Sequence, residues 1–161
     1  MKKIAVFLLL ALCILIIGCS SQSAIPEGFH HYEKKQVESA LDQLQFKPEL
    51  PQYVPIPAEI VVTDRFVDMQ TDQEAFDISM FTIDNDIFTI QIYDTEKAKL
   101  TAANEEIQLA DNTNAYYSDQ PYSKTLTWKK EGITYKLTYR SGEHTLSKSD
   151  LIKVAESFQP S

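Results

Sequence analysis

The chain has 161 residues, 43% of them hydrophobic, and its 23 acidic residues outnumber the 15 basic ones for a net charge of −8. This composition is typical of one folded domain and not of a disordered chain. The negative charge repels phosphate groups, so we expect no nucleic acid partner. The four glycines do not form a glycine-rich loop of the kind that binds phosphate.

The first nineteen residues combine charge, an apolar run and a cysteine in a fixed order. Lys2 and Lys3 precede the unbroken apolar stretch 4–17, which has the length of a signal-peptide core and is short for a membrane span. The stretch ends in the sequence LIIGC, whose thiol belongs to Cys19, and two serines follow. This order resembles the lipobox of bacterial lipoproteins, with Ile16 where leucine is commoner.

The lipobox resemblance implies a covalent lipid anchor. Cys19 would carry a thioether-linked diacylglycerol and become the mature N-terminus after cleavage behind Gly18; whether its amino group is also acylated stays open. Two or three chains give stable attachment, because each buried methylene contributes ~0.8 kcal/mol. We therefore expect a protein on the extracytoplasmic face of the cell membrane, anchored by lipid. The alternative is an uncleaved helix over residues 1–17.

Cleavage would divide the chain into three parts. Residues 1–18 are the removed signal peptide, 19–28 a lipidated tether, and 29–161 a single extracytoplasmic domain. Cys13 leaves with the signal and lipid blocks Cys19, so no thiol remains for a disulfide and the core alone must stabilise the domain. The mature chain has 143 residues (161 minus 18), and its net charge is −10, because 13 basic residues remain against 23 acids.

The domain begins with a predicted helix and an extended segment. Between about Phe29 and Leu44, apolar residues fall at i, i+3, i+4 and i+7 counted from Val37, a pattern typical of one helix face. Four prolines between Pro48 and Pro57 end the helix and favour extended backbone. Because this stretch is also apolar, we expect it to lie on the core.

Strand patterns follow from residue 60 onwards. The predicted elements are a bulged strand at 60–69, a hairpin of 76–83 and 87–93, a helical turn or loop at 96–103, a short strand at 107–109 and a polar loop at 111–120. The turn of the hairpin is Asp84-Asn85-Asp86, a sequence that favours tight turns.

The clearest predicted hairpin covers residues 124–140 and turns at Glu131-Gly132. Leu126 and Trp128 alternate with polar residues, which predicts one buried and one wet face. A final helix follows, with Ser147 as its N-cap. These elements predict an α+β fold: a single antiparallel β-sheet of about five or six strands, covered by an N-terminal and a C-terminal helix.

Two segments together resemble a known family. They are FKPELPQYVP at 46–55, and LTWKKEGITYKL at 126–137 with LSK at 146–148 and LIKVAES at 151–157 behind it. In this order they are similar to an uncharacterised extracytoplasmic domain of Bacillus-type Gram-positive bacteria, found in small lipoproteins and outside membrane-bound anti-sigma proteins. The similarity spans about 46–158, with Ile56-Pro57 where glycine is usual. It implies an envelope protein and transfers no catalytic residue, because the family has none assigned.

Histidines and acidic turns are the candidate metal ligands. His30 and His31 diverge by ~100° if they lie on a helix, so they cannot easily share one ion, and His144 is predicted in a loop. The acidic runs at 84–86 and 111–114 lack the Gly and Glu that an EF-hand loop has at its sixth and twelfth positions. We predict no metal and no cofactor.

No catalytic motif stands out, and loop tyrosines are the best candidates for a binding surface. The chain has no Gly-x-Ser-x-Gly elbow, so we expect no enzyme activity. Tyr116, Tyr117 and Tyr122 precede the strong hairpin, where aromatic residues can anchor a partner. The alternative is that they close the end of the core.

Three functions remain open at this point. The leading hypothesis is a monomeric, non-enzymatic lipoprotein that binds an envelope protein or senses the envelope state. The alternative is a carrier or chaperone for an apolar ligand such as lipid or peptide, which would need an apolar cavity of several hundred Å³. The third is a cell-wall hydrolase, which would need converging carboxylates with raised pKa values.

Overall fold

A computed structural model describes residues 25–95, 105–142 and 145–160. Those residues form two short helices and nine strands. In chain order the elements are α1 (Lys34–Leu41), β1 (Glu49–Pro51), β2 (Ile60–Asp68), β3 (Gln73–Phe81), β4 (Ile87–Tyr93), β5 (Glu105–Gln108), β6 (Asn114–Gln120), β7 (Ser123–Lys130), β8 (Ile133–Arg140), α2 (Lys148–Glu156) and β9 (Phe158–Pro160). No helix within these ranges is long and apolar enough to cross a membrane.

Seven strands form one antiparallel sheet in the order β2-β3-β4-β8-β7-β6-β5. Two meanders, β2–β4 and β5–β8, are joined because β4 pairs with β8, with Ile90 opposite Leu137. The short strands β1 and β9 form a separate two-stranded sheet in which Leu50 lies opposite Gln159. This second pairing ties the start of the domain to its end.

The predicted α+β fold, a single sheet of five or six strands under terminal helices, is wrong. The N-terminal helix is confined to Lys34–Leu41, because His30 pairs with Val54 as an isolated bridge and keeps the preceding backbone extended. The polar stretch predicted as a loop at 111–120 contains all of β6. The predicted bulged strand at 60–69 pairs with β3 in continuous register from Ile60 to Asp68. The chain is thus mostly β, with one large sheet and one small one.

Local signals in the sequence explain the elements that were predicted correctly. The β7–β8 hairpin turns at Glu131 and Gly132, whose φ angles of 50° and 84° suit the tight turn that joins twisted strands. At the start of α2, Asp150 N donates to Ser147 Oγ at 3.2 Å and Ser147 N donates to the Asp150 carboxylate at 2.9 Å. This reciprocal capping box fixes where the helix begins.

The core lies on one face of the seven-stranded sheet. Alternate residues of β3, β4, β7 and β8 point into it, and α1, α2 and the proline-rich segment supply the facing side chains. Its fully enclosed members include Phe76, Ile78, Met80, Phe88, Ile90, Ile92, Leu126, Leu137, Leu50, Ile56, Val37, Leu151 and Val154. Apolar side chains from both layers therefore fill the space between sheet and helices.

The other face of the sheet is less exposed to solvent than its polar residues predict. Trp128 faces the core as expected, but Thr125, Thr127 and Thr134 on the opposite face are also buried. Within the described part of the chain, the hydroxyl of Thr127 has no hydrogen-bond partner. The expectation of a fully exposed second face is therefore wrong for its centre, where longer side chains on neighbouring strands flank the threonines.

Replacement of Trp128 by alanine should destabilise the protein far more than replacement of Tyr122. Trp128 is 2% exposed and Tyr122 is 88% exposed. Loss of a buried tryptophan typically costs ~3–5 kcal/mol, whereas an exposed surface change stays within about 0.5 kcal/mol. Urea unfolding of Trp128→Ala and Tyr122→Ala measures both. Equal midpoints for the two variants would show that Trp128 does not pack in the core.

Candidate binding site

The two segments that carry the family resemblance meet at a small surface pocket. β1 and β9 bring one wall, the end of β7 brings a second, and α2 with the β5–β6 turn closes the rest. Its volume is about 100 Å³. The lining residues are Glu49, Leu109, Ala110, Asp111, Trp128, Lys130, Ala155, Glu156 and Phe158. The space suits one side chain of a partner and not a whole small molecule.

Two aromatic rings, Trp128 and Phe158, line the pocket, and Tyr135 packs against both of them; the three rings are called the aromatic base. Trp128 stacks on Tyr135 with ring centroids 5.2 Å apart and an interplanar angle of 11°. Phe158 meets both rings edge-on, at 5.0 Å from Trp128 and 5.3 Å from Tyr135. Stacked and edge-to-face contacts are the geometries that aromatic pairs prefer, so the three rings stabilise one another.

A hydrogen bond ties this aromatic base to β1. The backbone N–H of Glu49 donates to the hydroxyl of Tyr135 at 3.0 Å. Burial raises the pKa of Tyr135 to about 12, so the hydroxyl stays neutral at physiological pH. The neutral oxygen accepts the bond from β1, and this contact holds the charged side chain of Glu49 at the rim.

The rim of the pocket is charged and mostly anionic. Lys130 Nζ lies 2.9 Å from both carboxylate oxygens of Glu49, and this hydrogen bond raises the pKa of Lys130. Glu156 accepts from the backbone N–H of Ala110 at 3.0 Å. Hydrogen bonds from Thr113 lower the pKa of Asp111. One ammonium therefore faces three carboxyl groups around an aromatic base.

This arrangement suits binding better than acid–base chemistry. Asp111, with its lowered pKa, is a poor proton donor at neutral pH. Asp77, a carboxyl whose pKa is raised by burial, lies on the other face of the sheet, where Ser79 and Gln91 donate to it at 3.0 and 3.2 Å. An aromatic base with a polar rim is typical of the pockets that receive anchor residues in protein interfaces.

The three tyrosines predicted as a binding surface do not come together. Tyr116 and Tyr117 lie in β6 and not in a loop, and as strand neighbours they point to opposite faces of the sheet. Tyr117 is buried, and Lys148 Nζ lies 5.9 Å from its ring centroid. Tyr122 alone of the three is fully exposed, in the turn between β6 and β7. Their binding role stays a prediction.

The other candidate residues have structural roles or lie outside the described ranges. Cys19 and His144 are not among the described residues. In the described ranges, no three His, Cys, Asp or Glu side chains group as metal ligands would. Asp86, from the acidic turn, is buried and accepts from the Tyr139 hydroxyl at 2.9 Å and from Gly142 N at 2.7 Å. The acidic turn is therefore held in place by hydrogen bonds from β8 and from Gly142.

Sequence reasoning missed the pocket, although it singled out the segments that form it. Glu49 and Lys130 lie 81 residues apart in the chain, and nothing in a single sequence pairs them. The available signal was the family pattern itself, which contains Glu49, Trp128 and Lys130. Trp128 was predicted only as a core residue, and its second role at the pocket depends on the neighbouring strands.

Fold and pocket together define a mostly β domain with a small surface pocket where β1, β7, α2 and β9 meet. A family model described as a domain of unknown function, DUF4367, matches residues 50–158. The chain therefore belongs to the DUF4367 family. Comparison with curated proteins and with solved structures gave no match.

The late deprotonation of Tyr135 should lower the free energy of unfolding as the pH rises from ~10 to 12. In the unfolded chain a tyrosine deprotonates near pH 10, whereas folded Tyr135 keeps its proton to about 12. Between these values the folded state binds more protons, so the free energy of unfolding falls as pH rises. Tyr135→Phe should make this fall shallower in urea unfolding between pH 9 and 12.

A matched control for this titration is Phe158→Leu. This variant disturbs the same aromatic cluster without removing a hydroxyl group. It should lower stability at every pH and leave the alkaline slope unchanged. An unchanged slope in Tyr135→Phe would show that this hydroxyl does not titrate late in the folded protein.

Proposed function

We propose that this protein is a membrane-anchored, non-enzymatic module of the cell envelope that binds a protein partner through the aromatic pocket. The observation that carries the proposal is the meeting of the family's two characteristic segments at a surface pocket that has an aromatic base and a charged rim. Such a pocket would take one anchor side chain of the partner, and the charged rim would select it. The lipid on Cys19 would keep the module at the extracytoplasmic face.

The filled core favours binding at the surface over carriage of an apolar ligand. A carrier needs an apolar cavity of roughly 300–1,000 Å³. Here Phe76, Phe88 and Ile90 are at most 1% exposed and pack against the covering layer. The protein's own side chains therefore occupy the core between the sheet and the covering layer, which favours the surface as the binding region.

The electrostatics of the pocket favour binding over wall hydrolysis. Glycoside hydrolysis by the usual route needs one carboxylic acid that still carries its proton at working pH. The lowered pKa of Asp111 does not suit that role, and Lys130 holds the carboxylate of Glu49 at 2.9 Å. A fixed, charged rim is suited to recognition.

Cys19→Ala should abolish lipid attachment. Without the thiol, no diacylglycerol can be added and the precursor should stay largely uncleaved. Metabolic labelling with a fatty-acid analogue measures this, and Cys13→Ala is the matched control because residue 13 lies in the segment predicted to be discarded. The control should label like the parent protein. Label on the Cys19→Ala variant would refute the lipobox assignment.

Site-specific crosslinking in intact membranes tests the pocket as a partner site. A photoreactive residue in place of Asp111, at the exposed rim, should give one defined protein adduct. The same residue in place of exposed Gln73, at the start of β3, should not give that adduct. A second change, Ala110→Trp, fills the mouth of the pocket without touching the core and should remove the adduct.

The outcomes of this experiment separate the hypotheses. Identical adducts from positions 111 and 73, or an adduct that persists with Ala110→Trp, would contradict a partner site at the pocket. Turnover of a wall glycan by the purified full-length protein would contradict the non-enzymatic assignment. Lipid that copurifies in a stoichiometric amount and protects the core from unfolding would favour the carrier hypothesis.

A further inference from the structure

A second surface depression lies at the opposite end of β7 from the aromatic pocket. It is an open groove of about 490 Å³ beside the β6–β7 turn, within the range of pockets that bind small molecules. Its walls come from the β6–β7 hairpin, the end of β8 and Thr145, which precedes α2. The lining residues are Asp119, Gln120, Pro121, Tyr122, Ser123, Lys124, Tyr139, Ser141 and Thr145.

The aromatic member of the groove is unusually exposed. Tyr122 is 88% exposed and belongs to the two-residue turn between Gln120 and Ser123, which lie opposite each other in the sheet. Pro121, next to it, has a fixed φ that restricts the turn. The ring of Tyr122 therefore contributes nothing to the core and is open to a ligand at the groove.

The remaining groove residues offer a dense mixture of donors and acceptors. Lys124 Nζ lies 2.6 Å from Asp119 Oδ2, and the Tyr117 hydroxyl donates to the same oxygen at 3.2 Å. The two opposite charges balance each other. Around them stand the amide of Gln120 and the hydroxyls of serine and threonine side chains, which both donate and accept.

We propose that this groove, with Tyr122 as its stacking platform, is a binding site for a short oligosaccharide. Sugar hydroxyls donate and accept hydrogen bonds and so match the amide, hydroxyl, carboxylate and ammonium groups of the walls. The C–H face of a sugar ring carries slight positive charge, and the face of an aromatic ring is negative, so the two faces stack. The site is distinct from the aromatic pocket, and it stands whether or not that pocket binds a protein.

Other ligand classes fit the groove less well. An apolar ligand would bury the polar wall groups without hydrogen bonds, which is costly. A phosphate would compete with Asp119 for Lys124, the only cation among the lining residues. An extended peptide would need a free strand edge for its backbone, but β6 and β7 are both interior strands of the sheet.

Calorimetric titration of the full-length protein in detergent tests the proposal. The probes are chitotetraose, cellotetraose and maltotetraose, with a tetra-alanine peptide of matched length. At least one sugar should bind. Tyr122→Ala should lower its affinity at least tenfold, because the stacking ring is lost, while Tyr122→Phe should stay within threefold of the parent because it keeps the ring.

The control variant is Met69→Ala, which removes another highly exposed side chain, in the turn between β2 and β3. It should bind the sugar like the parent. Thermal unfolding of all three variants should match the parent, because none of the changed side chains packs in the core. Absence of binding to every sugar at millimolar concentration, equal binding by Tyr122→Ala, or binding of the peptide in preference to the sugars would overturn the proposal.

Discussion

The contact on which most of the structure depends is the one between the two ends of the domain. β9 pairs with β1, and Phe158 at the start of β9 lies against Trp128 and Tyr135 of the strongest hairpin. The Tyr135 hydroxyl then accepts the backbone N–H of Glu49. Residues 20–161 contain no cysteine, so no disulfide can form among them, and this combination of ring contacts and strand pairing closes the covering layer over the sheet.

The sequence predicted the hairpins and the capped C-terminal helix because their causes are local. A Glu-Gly turn between alternating runs, and a serine three residues before an aspartate, act over a few residues. The fold class was wrong because its causes are not local. β1 and β9 have three residues each and form only as partners, and β6 is too polar for its alternation to stand out.

The candidate sites show the same difference between features with local causes and features with long-range causes. Adjacent tyrosines at 116 and 117 attract attention in a sequence, but once they lie in a strand the two-residue period sends them to opposite faces. The pocket could not be predicted, since Glu49, Lys130 and Glu156 meet only when β1, β7 and α2 have packed. The family pattern contains these residues, but it does not show that they are neighbours. Only the packing of the strands and the helix brings them together on the surface.

The pairing of β4 with β8 has a consequence for how the chain is made. β4 is complete at Tyr93, but its partner begins only at Ile133. During synthesis, the strongly apolar strand β4 therefore has an unpaired edge until β8 has been made. Such an edge invites association with other chains, and its distant closure makes folding slow. Delivery of β8 thus decides between folding and aggregation.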